Sequence, residues 1–224
     1  MDKKGKLDYN TVSELLLSSL QKLMKESVFE NFRLVGGTAL SLQLGHRMSI
    51  DIDLFTDIEY GTMDTQEIAV CLKRVFKYVD GIDKLNKRAL GYSLLCGDNS
   101  EDTIKVDLFY TDSFIFPEVI QEGIRMASIE EISAMKMLAI ITGERKKDYW
   151  DIHELLESFS LENMIEWGIQ RHPFQITKEE ILNKLAAAAQ ISDNTPILCL
   201  KNKYWEFVTE DLEEAVRKIR NKQI

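Results

Sequence analysis

Asp51 and Asp53 stand two apart in Ser49-Ile50-Asp51-Ile52-Asp53-Leu54-Phe55, where Ile50, Ile52 and Leu54 alternate with Ser49 and the two acids. The side-chain period of a strand is two, so this spacing turns the three apolar residues toward a core and both carboxylates to the other face. Carboxylates held side by side repel and resist desolvation unless a cation compensates them, which makes the pair a seat for a hard divalent metal. A third acid, Asp107, lies in a run of the same kind, Ile104, Val106 and Leu108 alternating with Lys105, Asp107 and Phe109. If the two strands are neighbours, three carboxylates converge on one spot. Upstream, Gly36 and Gly37 follow an apolar stub, Leu34-Val35. A glycine pair lets the backbone turn tightly and lay amide donors against a phosphate at the start of the next helix.

Each feature has a plainer reading: a turn for the glycines, a solvated face for the acids. Their order and proximity point instead to metal-assisted phosphoryl or nucleotidyl transfer, in which metal ions stabilise the attacking and leaving oxygens. Magnesium keeps waters and prefers one or two carboxylates plus substrate phosphates, which suits Asp51 and Asp53. His46, His153 and His172 are far apart in the chain and read as surface or packing residues. A second polar cluster joins Lys136, set in the apolar stretch Ala134 to Ala139, to Arg145-Lys146-Lys147-Asp148-Tyr149-Trp150-Asp151. With a chain reversal after Gly143, Lys136 and Asp148 come within reach of each other. The cation then suits triphosphate oxygens, with Asp148 orienting it or acting as a base. The plainer readings are a lysine reaching for water and acids stabilised by a helix N-terminus.

The elements that must position these residues follow from periodicity. Residues 9–28 predict an amphipathic helix, 32–35 a short strand, 38–44 a helix after the glycine turn, 50–55 a second strand, and 64–79 another helix. Residues 92–96 and 103–110 predict a hairpin across Gly97-Asp98-Asn99-Ser100. From Pro117 onward the chain reads as helical. Ser128 and Glu131 read as a capping box that starts a helix through Ile141, and further helices are expected at 146–159, 161–170, 177–190 and 204–220. The expected fold class is α+β (α/β): an α/β core with a small mixed sheet over residues 1–122, followed by a helical C-terminal region over 123–224.

A formal charge of −9 on 224 residues excludes a general grip on nucleic acid by the whole surface. Local basic patches at Lys73-Arg74-Lys77, Lys84-Lys87-Arg88, Arg145-Lys146-Lys147 and Arg217-Lys218-Arg220-Lys222 remain, each more simply a solvated helix face. The three cysteines, Cys71, Cys96 and Cys199, show neither zinc spacing nor a disulfide framework. With no signal peptide or membrane span expected, the reading is a cytoplasmic protein.

Gly36-Gly37-Thr38-Ala39-Leu40, Arg47-x-Ser49-x-Asp51-x-Asp53-Leu54-Phe55, Lys136 and Lys147-Asp148-x-x-Asp151-Ile152 together resemble the AbiEii/AbiGii toxin family. The resemblance covers roughly residues 30–160. It implies a nucleotidyltransferase-like core of the DNA polymerase β superfold, acting in phage abortive infection and type IV toxin–antitoxin pairs. It also implies a Mg²⁺-dependent transfer from a nucleoside triphosphate, with a cognate antitoxin as partner. Some members act on the acceptor end of tRNA and others are described as binding GTP. By this resemblance Gly36, Gly37, Thr38, Ser49, Arg47 and Lys147 bind nucleotide, Asp51 and Asp53 ligate metal, and Lys136 and Asp148 join Asp51 and Asp53 in catalysis. Asp107 matches the third carboxylate of the wider superfamily. Two other readings stand beside it: nucleotidyl transfer to a small hydroxylated molecule, which the acidic surface favours, and a non-catalytic nucleotide-binding or partner-binding module.

Overall fold

The computed structural model describes residues 6–85 and 89–222. The chain divides into two compact units, the first ending at Ala127 and the second starting at Ser128. Residues 124–127, expected with the helical region, are strand in this structure.

The first unit is built on a seven-stranded sheet ordered β3-β4-β5-β2-β1-β7-β6. In chain order its elements are α1 (Glu14–Leu23), β1 (Arg33–Leu34), α2 (Gly36–Leu44), β2 (Asp51–Thr56) and α3 (Thr65–Val75), then β3 (Tyr78–Asp80), β4 (Gly91–Gly97), β5 (Thr103–Tyr110), β6 (Glu118–Gln121) and β7 (Ile124–Ala127). The β2–β5 and β1–β7 pairs are parallel, the others antiparallel. Alternation decides the faces: Ile52, Leu54, Val106 and Leu108 are fully buried on one side of β2 and β5. The expected long first helix is only α1, flanked by 3₁₀ turns at Tyr9–Thr11 and Ser27–Phe29. Ser13 caps it, and Leu16, Leu20 and Leu23 bury its inner stripe. The helix packs on β2 and α3.

Ile50, expected in the core, precedes β2 and is 72 % exposed. The helix expected over 64–79 stops at Val75, because Phe76 turns extended and Tyr78–Asp80 pairs with residues 95–97 of β4 as an edge strand. The region after Pro117, expected to be helical, first forms the β6–β7 hairpin. Its two-residue turn, Glu122-Gly123, has both φ values positive (52° and 81°), the requirement of the turn that matches strand twist.

The second unit holds α4 (Ile129–Thr142), α5 (Lys146–Leu155), α6 (Leu161–Arg171), α7 (Lys178–Ala186) and α8 (Trp205–Asn221). Ser128 caps α4 through the Glu131 amide, but Glu131 does not return the bond as a capping box would. Its carboxylate is buried against Arg171 of α6 at 2.5 Å. A reciprocal capping box does occur at Thr177 and Glu180, at the start of α7. The α4 helix contacts α5, α6 and α7, and Gly168 lets α6 approach so closely that a Cβ there would stand 2.5 Å from Met137 Cβ. The helices expected to run to 159 and 190 end at Leu155 and Ala186, the latter followed by a 3₁₀ turn at Ala188–Gln190.

Candidate active site

The parallel pairing of β2 with β5 sets Asp51 beside Lys105 and Asp53 beside Asp107. In-register residues on neighbouring strands point to the same side, so all four share the face opposite the apolar core. The anticipated convergence of Asp51, Asp53 and Asp107 is therefore a matter of register. Among the described residues no group of three or more His, Cys, Asp or Glu side chains is drawn close enough to hold a metal ion. A cation is already present: Lys105 Nζ lies 2.6 Å from Asp107 Oδ2. Burial alone would lower the Lys105 ammonium. The hydrogen bond to Asp107 and the charges of Asp107, Asp51 and Asp53 outweigh it and hold the group above its ordinary value. Asp107 Oδ1 is buried with no hydrogen-bond partner among the described residues. An orphaned oxygen beside two further carboxylates is a donor set suited to a hard cation with phosphate or water completing its shell.

The glycine turn comes against this cluster. Gly36 has φ of 67°, and a Cβ on it would stand 2.6 Å from Asp53 Oδ2. The Val35 amide donates to the Asp53 carbonyl at 2.9 Å, locking the start of α2 to β2. At Gly37 the added Cβ would run into the Arg47 guanidinium. Arg47 itself is buried and donates to the Met48 carbonyl at 3.0 Å. Thr38 is fully buried; its hydroxyl donates to the Asp51 carbonyl and lies 2.8 Å from Ser49 Oγ. Thr38 and Ser49 thus brace the backbone that carries Asp51. Val35 gives α2 no side-chain cap, which leaves the first-turn amides as the element's anion-facing groups.

In the helical unit α5 doubles back on α4 as anticipated. Lys136 Nζ reaches Asp148 Oδ1 at 2.6 Å and Asp151 Oδ2 at 2.5 Å, and Arg145 Nε reaches Asp148 Oδ2 at 2.8 Å. Asp148 and Asp151 are fully buried, so this ammonium neutralises charge that has no access to water. Lys147 is half-buried in the first turn of α5. All three histidines are buried. Several members of the basic patches are engaged: Arg74 with Glu26, Lys77 with Asp98, Lys218 with Glu214, Arg220 with Glu179 and Lys222 with Glu162. Lys87 and Arg88 lie outside the described residues. Sequence reasoning placed Lys105 on the polar face without giving it a role; the signal was its two-residue spacing from Asp107.

The family model for the AbiEii nucleotidyltransferase toxin of type IV toxin–antitoxin systems matches residues 18–219. The chain belongs to the AbiEii family. It is accordingly a nucleotidyltransferase, and the resemblance read from its motifs is borne out. Membership of a type IV toxin–antitoxin family implies an antitoxin partner and a nucleoside triphosphate substrate. The AbiEii chain is 26 % identical over 217 residues to the uncharacterized protein aq_aa25 of Aquifex aeolicus, covering 89 % of this chain and 93 % of that one. Its α+β fold is similar to that of JHP933 from Helicobacter pylori (TM-score 0.57, 19 % identity, 93 % and 90 % of the two chains). It is also similar to that of the nucleotidyltransferase toxin MenT4 of Mycobacterium tuberculosis (TM-score 0.54, 15 % identity, 90 % and 82 %). Among the described residues of this AbiEii protein no helix is long and apolar enough to cross a membrane.

Proposed function

We propose that this AbiEii-family nucleotidyltransferase moves a nucleoside monophosphate from a nucleoside triphosphate to the acceptor end of tRNA, in a Mg²⁺-dependent reaction restrained by its antitoxin in the cytoplasm. The observation that carries the reading is the alignment of Asp51 and Asp53 with Asp107 beside the glycine-led start of α2. Bound Mg²⁺ would neutralise triphosphate charge and stabilise the oxygens exchanged at phosphorus. Asp51 and Asp53 supply the carboxylate oxygens that hold it, with Asp107 closing the cluster from β5. Gly36 keeps that backbone against Asp53, and the first-turn amides of α2 take the phosphates. Thr38 and Ser49 act from behind by fixing the Asp51 backbone. For Lys136 and Asp148 the buried ion pair supports a part in holding α4 to α5.

The test is incubation of the purified protein with each of the four labelled ribonucleoside triphosphates, Mg²⁺ and total cellular tRNA, beside Asp51→Ala and Asp53→Ala. Label should pass to RNA with the intact protein and fall at least about a hundredfold in both variants, whose circular dichroism melts stay unchanged. Full transfer by both variants would overturn the mechanism. The engagement of basic side chains by neighbouring acids, on a surface of net charge −9, favours a second reading: a small hydroxylated cation as acceptor. Label recovered on an aminoglycoside and not on tRNA would decide for it.

A further inference from the structure

Asp51, Lys105, Asp53 and Asp107 form one register square on the polar face of β2 and β5. Neighbouring strands run about 4.8 Å apart and residues two apart on a strand are separated by about 6.6 Å, so an ammonium on a four-carbon stem reaches across the whole square. In the structure it sits on Asp107, 2.6 Å from Oδ2, with the lysine side chain 45 % exposed and the aspartate 13 %. The other oxygen of Asp107 is buried without a hydrogen-bond partner among the described residues. Asp107 is therefore half compensated: one oxygen is committed to an internal cation and the other is left for something that is not part of this square.

We propose that Lys105 is the resident counter-cation of the carboxylate cluster, paired with Asp107 while no metal is bound and obliged to swing aside before a divalent cation can take that carboxylate. This inference rests on the metal-dependent reading above. Three carboxylates on one sheet face repel, and a +1 charge on a flexible stem offsets that repulsion in the metal-free protein without closing the site. Free metal must displace the lysine to collect protein oxygens. Metal already chelated by a triphosphate needs fewer of them. Lys105 thus biases the site toward the metal–nucleotide complex and against free metal.

Mn²⁺ binding to the nucleotide-free protein, followed by calorimetry and by the electron spin resonance of free Mn²⁺, tests this without reference to activity. Lys105→Gln should bind Mn²⁺ about tenfold more tightly than the parent protein, the order expected when one competing charge a few ångströms away is removed. Its metal-free form should melt lower, so that Mn²⁺ raises its melting temperature further than it raises the parent's. Lys105→Arg, which keeps the charge, should behave as the parent, and Asp53→Asn added to Lys105→Gln should abolish the gain. Equal or weaker Mn²⁺ binding by Lys105→Gln, with binding by the parent intact, would overturn the counter-cation role and leave the metal-dependent reading standing. Binding by neither protein would overturn both and make Lys105 a permanent partner of Asp107.

Discussion

Gly36 shows how much of the site one missing Cβ decides. Its φ of 67° is open to glycine, and the space where a Cβ would lie is filled by Asp53 Oδ2. Gly36→Ala is expected to cost about 1–2 kcal/mol in left-handed backbone strain, read by urea denaturation. It should also push the Asp53 carboxylate off its position and lower nucleotidyl transfer more than that loss of stability explains. Gly37→Ala meets only the far end of the Arg47 side chain, so its effect on transfer should be the smaller of the two. The aspartates themselves were legible from their two-residue spacing, since facing in a strand is a local property of the backbone. The pairing of Lys105 with Asp107 was not, because a polar face carries several charges and strand register chooses which of them meet.

At the scale of the element, α4 and α5 are joined by charge inside an apolar setting. Lys136→Met removes the cation shared by Asp148 and Asp151, both without solvent exposure, and is expected to cost about 3 kcal/mol in a urea unfolding curve. A transfer rate measured on that variant has meaning only beside its unfolding curve. The start of α5 has no cap in its own sequence, as Arg145 offers none; the Lys146 amide donates instead to Asp193 Oδ2 at 2.8 Å. Hydrogen bonds from the Thr195 side chain and backbone, then from the Lys146 amide and its charge, hold the Asp193 carboxyl below its ordinary value of 3.8. A depressed folded pKa contributes stability above the unfolded value and loses it as pH falls through the folded one. Asp193→Asn should therefore be less stable than the parent at pH 7, with the gap closing as pH drops below 3.8, read from urea unfolding curves at both pH values. Sequence alone left residues 192–196 between the helices expected at 177–190 and 204–220; that this connection doubles as a distant cap comes from chain packing.

Across the whole molecule, net charge and its pairing set what the surface can hold. At −9, with several described members of the basic patches engaged by acids, the protein should bind RNA of random sequence more weakly than about 10⁻⁴ M at physiological salt. Filter binding with a random-sequence RNA checks this, and saturation at micromolar protein would show a basic surface that the charge balance conceals. By itself the sequence determined the α+β class, the β4–β5 hairpin and the helical character of the chain after Ser128. These rest on apolar periodicity and turn residues, which are written locally. It also determined that three acids stand on polar strand faces. Only the tertiary structure decided that β2 and β5 are parallel neighbours in the register that sets Asp53 against Asp107. It likewise decided that residues 78–80 and 118–121 are the two edge strands of the sheet, with 124–127 paired between β1 and β6. Strands of three or four residues carry too little intrinsic preference to declare themselves. What stabilises them is the hydrogen-bonded partner each finds on folding, and for β3 and β7 a partner, β4 or β1, lies well outside the strand's own stretch of sequence.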